Sequence, residues 1–203
     1  VPALAAWSYG DVAVHDGASG HLRWGTVLQQ DDGGIEGLFG TPTPLSGQPG
    51  VLVAPTAWWG EGQDGLLGVG ASRPAFRAVE GRVSSSAVVT DLGDDGTLEA
   101  IAGTERGDLV ALRADGGYAR LAQLRGGIEA PALLADVDGD GTFELLVASN
   151  DGLLTCFTTG SRARPAIPRF RGESAHNRGD LGRVSLGWSA AAARGQGSAR
   201  AAG

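Results

Sequence analysis

The sequence has no lysine and no methionine, a single cysteine, and only 6% aromatic residues. All 16 basic side chains are therefore arginine. Without lysine there is no Walker-type phosphate lysine, no Schiff-base nucleophile and no Ser-Lys dyad, which excludes several enzyme classes outright. A lone Cys156 cannot close an internal disulfide. It lies in the apolar run Leu153-Leu154-Thr155-Cys156-Phe157, with no histidine spacing to suggest a thiolate pair, and it reads as a small core residue. No apolar run approaches the ~20 residues a membrane-spanning helix needs, so no span is expected. With Val1 at its start and no methionine anywhere, the chain reads as a mature or truncated product whose export signal, if it had one, is missing.

What the sequence does have is glycine, 35 residues of 203, together with 9 prolines and short apolar stretches. That mixture favours many short strands joined by turns, and the fold class expected is all-β. The net charge of −7 is uneven: residues 161–203 hold eight arginines against Glu173 and Asp180, leaving −13 on residues 1–160. An acidic body repels phosphate backbones and attracts divalent cations, so no nucleic-acid partner is expected.

Two segments match without gaps. Ala87-Val88-Val89-Thr90-Asp91-Leu92-Gly93-Asp94-Asp95-Gly96-Thr97-Leu98-Glu99 is followed 45 residues later by Ala132-Leu133-Leu134-Ala135-Asp136-Val137-Asp138-Gly139-Asp140-Gly141-Thr142-Phe143-Glu144. That pitch suits a unit of four short strands, as in a propeller blade. Each copy continues with an apolar strand, a polar glycine turn and another strand. A weaker copy precedes them, where Val51-Leu52-Val53-Ala54 leads into a loop ending Gln63-Asp64-Gly65 and then Leu66-Leu67-Gly68-Val69-Gly70. Earlier still, residues 11–24 read as a hairpin with Asp-Gly and Ser-Gly turns, the closing half of another blade. The organisation expected is about four blades of four-stranded antiparallel sheets over residues 1–160, the first partial and the propeller incomplete. Residues 161–189, with Pro165 and Pro168, would wrap the surface or close the last blade, and the Ala/Gly/Arg/Ser tail at 190–203 would be disordered.

The acidic loops carry the chemistry. In the second, carboxylates alternate at Asp136, Asp138 and Asp140, followed by Thr142 and Glu144. A hard divalent cation needs such a convergence of oxygens, and Ca²⁺ fits best. Gly139 and Gly141 would turn the chain back with positive φ so that the alternate side chains face one centre. The last carboxylate comes at the ninth position rather than the twelfth and the flanks are strand-like, which rejects an EF-hand. The first loop offers Asp91, Asp95, Thr97 and Glu99 at the same places but Gly93 where its partner has Asp138, so it would bind more weakly or not at all. For either loop the plainer reading is an acidic turn capping a hairpin. Affinities in the sub-millimolar range of extracellular modules would require a calcium-rich setting, outside the cytoplasm.

Asp136-Val137-Asp138-Gly139-Asp140-Gly141 between strands, repeated at blade pitch, resembles the FG-GAP or VCBS repeats of integrin-α-like β-propellers. The resemblance covers residues 85–160 well and 45–84 loosely, although a Phe-Gly…Gly-Ala-Pro stretch is lacking. His15-Asp16-Gly17-Ala18-Ser19-Gly20-His21-Leu22-Arg23-Trp24 is similar to the blade strand of quinoprotein-like (PQQ-type) propellers. These resemblances imply calcium in blade loops, exposure at a cell surface, outside the cell or in the periplasm, and adhesion, ligand binding or assembly as the task. They supply no catalytic residues.

Arg106-Gly107-Asp108 and Arg178-Gly179-Asp180 spell an integrin-recognition tripeptide, but the first reads as a hairpin turn and the second falls in an Arg/Gly-rich stretch. His15, His21 and His176 have no metal-binding spacing. Trp58 and Trp59 offer either a sugar-stacking platform or packing between blades. The function expected is a secreted or surface calcium-binding module that takes a protein or glycan through its blade loops, with the calcium structural and no enzyme activity. The alternatives are a propeller enzyme, dehydrogenase-like or polysaccharide-lyase-like, and an envelope assembly scaffold.

Overall fold

The computed structural model describes residues 3–7, 11–27, 37–38, 41–46, 51–57, 65–69, 74–78, 82–167 and 169. Among them there is no helix, and the fifteen strands form four antiparallel sheets. The first sheet joins β1 (Ala3–Trp7), β2 (Asp11–Asp16) and β3 (Leu22–Val27) in chain order. In the second, β4 (Gly37–Leu38), β6 (Val51–Ala57), β7 (Gly65–Val69) and β8 (Pro74–Ala78) lie side by side, and β5 (Thr43–Ser46) also pairs with β6. The third runs β12 (Tyr118–Gln123), β11 (Asp108–Arg113), β10 (Glu99–Gly103), β9 (Val88–Thr90), and the fourth β13 (Leu133–Ala135), β14 (Glu144–Ala148), β15 (Leu154–Thr158).

Local chemistry explains the turns. Between β2 and β3 the Asp16 carboxylate accepts the backbone N–H groups of Ala18 and Ser19 at 3.0 and 2.9 Å and pairs with Arg23 at 2.6 Å. The Arg23 hydrogen bond first, and the Ser19 and Ala18 donors after it, hold this carboxyl well below the usual range. The single turn so fixed at residues 17–20 replaces the two separate turns expected there. In the third and fourth sheets the sequence pattern of strand, acidic loop, strand, glycine turn, strand is the pattern observed.

Strands β9, β10 and β11 of the third sheet are buried on both faces, which is why they read as short continuous apolar runs, whereas the edge strand β12 is largely exposed. Alternation sends Val89, Ala100, Ala102, Val110 and Leu112 to one core, where they meet Leu45 of β5, while Val88, Ile101, Leu109 and Ala111 meet Leu134, Leu145 and Val147 of the fourth sheet. Forty-five residues after Val88, Ile101, Leu109 and Ala111 come Leu133, Leu146, Leu154 and Cys156, on the far face of the fourth sheet. The third-sheet set is buried, whereas Leu133 and Leu154 are 37% and 68% exposed. Cys156 is likewise exposed, which corrects its reading as a core residue: β15 is an edge strand, and no described element covers this face.

After β15 the chain returns to the third sheet instead of continuing outward. Ile167 exchanges two backbone hydrogen bonds with Val89, at 2.8 and 2.9 Å, and buries its side chain beside Ala100 and Leu112. Trp58, Trp59, His176, the second Arg-Gly-Asp and residues 190–203 lie outside the described residues.

Candidate metal centre

Both acidic loops join the first strand of a sheet to its second, and both are built on one frame. In the loop at 136–144, Asp136 accepts the N–H groups of Gly139 at 2.7 Å and Gly141 at 3.1 Å, and Glu144 Oε2 accepts that of Val137 at 3.0 Å. In the loop at 91–99, Asp91 accepts the N–H groups of Asp95 and Gly96 at 3.0 and 2.7 Å, and Glu99 Oε2 accepts that of Leu92 at 2.9 Å. The first carboxylate thus closes the turn and the last ties its start to the next strand. Gly139 and Gly141 have φ of 80° and 85°, as their positions require, and Asp94 takes up the Gly139 conformation with φ of 52°. Aspartate tolerates that region better than most residues.

The loops differ in what their carboxylates face. At 136–144 the carboxylate oxygens of Asp136, Asp138 and Glu144 lie within 4.8 Å of one another, an arrangement that could hold a metal ion. The two aspartates are exposed and Glu144 is buried. Asp140 turns instead to Thr142, accepting its backbone N–H at 2.7 Å and its hydroxyl at 2.6 Å, and these bonds lower the Asp140 pKa. Thr142 Oγ1 also lies 3.4 Å from Glu144 Oε1. The structure therefore brings together three of the five residues expected at this loop and uses the other two to brace it.

At 91–99 no such trio forms. Arg113, from β11, donates through Nε to Glu99 Oε1 at 2.8 Å and reaches Asp95 at 3.5 Å, while Asp95 also accepts the Thr97 N–H at 2.8 Å. Glu99 raises the Arg113 pKa, by hydrogen bond and by charge, and the Thr97 hydrogen bonds lower that of Asp95. Sequence reasoning missed Arg113 because it lies on a different strand. The signal available was the hairpin register that sets it directly opposite Glu99.

Asp94, which stands where the second loop has Gly139, anchors the returning chain. It accepts the N–H groups of Arg162 and Ala163 at 3.1 and 2.9 Å, and the Ser161 hydroxyl lies 2.6 Å from both Asp94 Oδ1 and the Asp91 carbonyl. The Ser161 hydrogen bond first, then those of Arg162 and Ala163, lower the Asp94 pKa. A depressed folded-state pKa stabilises the docked segment above the unfolded value of about 3.9, and the contribution fades as pH falls through the lower folded value. Amide exchange at residues 161–167, corrected for intrinsic rates, should therefore be slow at about pH 5 and accelerate toward about pH 2. Asp94→Asn should remove most of this pH dependence; an unchanged profile in that variant would rule the anchor out.

No protein-family model and no curated protein matches the sequence. Among solved structures, the quinohemoprotein alcohol dehydrogenase from Comamonas testosteroni aligns over 87% of this chain and 36% of its own, with a TM-score of 0.55 and 14% identity. BBS1N, crystallised with ARL6DN and soaked with lead, aligns over 76% of this chain and 49% of its own, with a TM-score of 0.50 and 14% identity. The chain thus spans about half or less of the length of each of these structures. Both are β-propeller proteins, and at this identity the likeness concerns fold alone. The four antiparallel sheets are blades of an all-β propeller fold.

Proposed function

We propose that this chain is a calcium-stiffened β-propeller module, of the FG-GAP or VCBS kind, that binds a protein or glycan outside the cytoplasm. The observation that carries the reading is the meeting of Asp136, Asp138 and Glu144 within 4.8 Å on a loop between two strands. Three hard oxygen donors, two of them open to solvent, suit Ca²⁺, whose remaining positions backbone carbonyls and water can fill. The two propeller structures support the plan, and one of them, BBS1N, was crystallised in complex with a protein, ARL6DN. The exposed apolar face of Leu133, Leu154 and Cys156 favours a protein partner, since such patches commonly mark contact surfaces. The enzyme alternative rests on likeness of fold to the dehydrogenase, and fold assigns no chemistry.

Calorimetric titration with CaCl₂ tests the reading. A binding event with a dissociation constant of about 10⁻⁴ to 10⁻³ M is expected, and Asp138→Asn should abolish it. Absence of heat at about 10 mM calcium, confirmed by terbium competition, would refute the calcium site. Crosslinking to protein partners and a glycan array, each run with calcium and with chelator, then distinguish the two ligand classes.

A further inference from the structure

We propose that Arg113 is the resident cation of the loop at 91–99, a guanidinium standing where the matching loop turns its carboxylates toward a divalent ion, so that this loop takes no metal. The two loops share their internal frame down to the hydrogen bond from the second residue to the terminal glutamate. Their sheets also share a register: Glu99 pairs with Arg113 on the next strand, and Glu144 pairs with Thr158 at the equivalent place. Glu99 has a side chain only 5% exposed, and a buried carboxylate requires a counter-charge. Arg113 supplies it through Nε at 2.8 Å while its Nη2 reaches Asp95 at 3.5 Å. With Thr158 the equivalent position beside Glu144 carries no charge, and there Asp138 joins the cluster where the first loop has Gly93. A divalent ion entering the first loop would have to displace the guanidinium or sit within a few ångströms of it, and either is unfavourable. The loop that organises the third sheet is thereby closed whether or not calcium is present.

The inference concerns the loop at 91–99 and stands or falls apart from the calcium reading of its neighbour. Its test uses the full chain carrying Asp136→Asn and Asp138→Asn, which silences the neighbouring loop. In that background no calcium-dependent shift of the melting temperature is expected at about 10 mM. Adding Arg113→Thr with Gly93→Asp should lower the melting temperature in chelator and restore it with CaCl₂, whereas Arg113→Lys should keep the indifference to calcium. A calcium shift in the silenced background that disappears with Asp91→Asn would overturn the proposal, as would a folded Arg113→Thr/Gly93→Asp variant that ignores calcium. Should that variant not fold, amide exchange at residues 91–99 of the chain carrying only Asp136→Asn and Asp138→Asn decides: unchanged protection on adding CaCl₂ supports the resident guanidinium, and a marked gain refutes it. If the unaltered chain binds no calcium at all, only the reading of the loop at 136–144 is lost.

Discussion

Gly107→Ala is expected to destabilise the chain by about 3 kcal/mol or more, read as a fall in the urea midpoint. Gly107 ends the turn from β10 to β11 with φ of 87°, and an added Cβ would lie 2.5 Å from the Leu124 carbonyl oxygen and 2.7 Å from that of Gly126. Those atoms belong to backbone fixed by the Leu124 N–H to Gly107 carbonyl bond at 2.8 Å, so they cannot swing aside as a side-chain tip could. The Arg-Gly-Asp sequence here is thus a structural turn whose Asp108 pairs with Arg120 at 3.3 Å. An internal control is available. Gly152, 45 residues on, makes the same turn with φ of 85°, but nothing lies within 4 Å of its added Cβ. Gly152→Ala should therefore cost only the conformational strain, about 1–2 kcal/mol. Equal losses at the two sites would show that the close backbone approach is not what matters.

Calcium itself should produce the other large effect. With a dissociation constant near 10⁻⁴ M, about 10 mM CaCl₂ stabilises the folded state by roughly 2.7 kcal/mol. For a chain of this size that corresponds to a rise of roughly 5–10 °C in melting temperature. Asp138→Asn, which removes an exposed ligand without touching the loop's Asp136 and Glu144 frame, should cancel the rise while leaving the melting temperature in chelator nearly unchanged. Melting curves that respond equally to calcium in both chains would place the ion elsewhere.

Much of the third and fourth sheets is legible residue by residue, because the information there is local. Short apolar runs define the strands, Asp and Gly mark the turns, and the 45-residue repeat sets one unit against the next. The positive φ of Gly139 and Gly141 follows from their place between alternating carboxylates. The candidate centre is legible only in part. Asp140 looks equivalent to Asp136 and Asp138 along the sequence, yet its carboxylate is engaged by Thr142, two residues on. Asp94 looks like a misaligned ligand, and it binds a segment 68 and 69 residues away.

The strands flanking the two acidic loops, the turns after them and the likeness of the loops are readable along the chain, since each depends on residues within one hairpin of one another. Only the tertiary structure decided which carboxylates meet. Register across a strand pair places an arginine beside Glu99 and a threonine beside Glu144, and that choice separates an ion-paired loop from one that could hold a metal ion. Stacking of sheets likewise decided that Leu109 is covered and Leu154 is not, although both are leucines at matching places in the repeat. The physical reason is the same in each case: charge pairing and burial depend on distances through space, and the sequence fixes those only once the sheets have assembled.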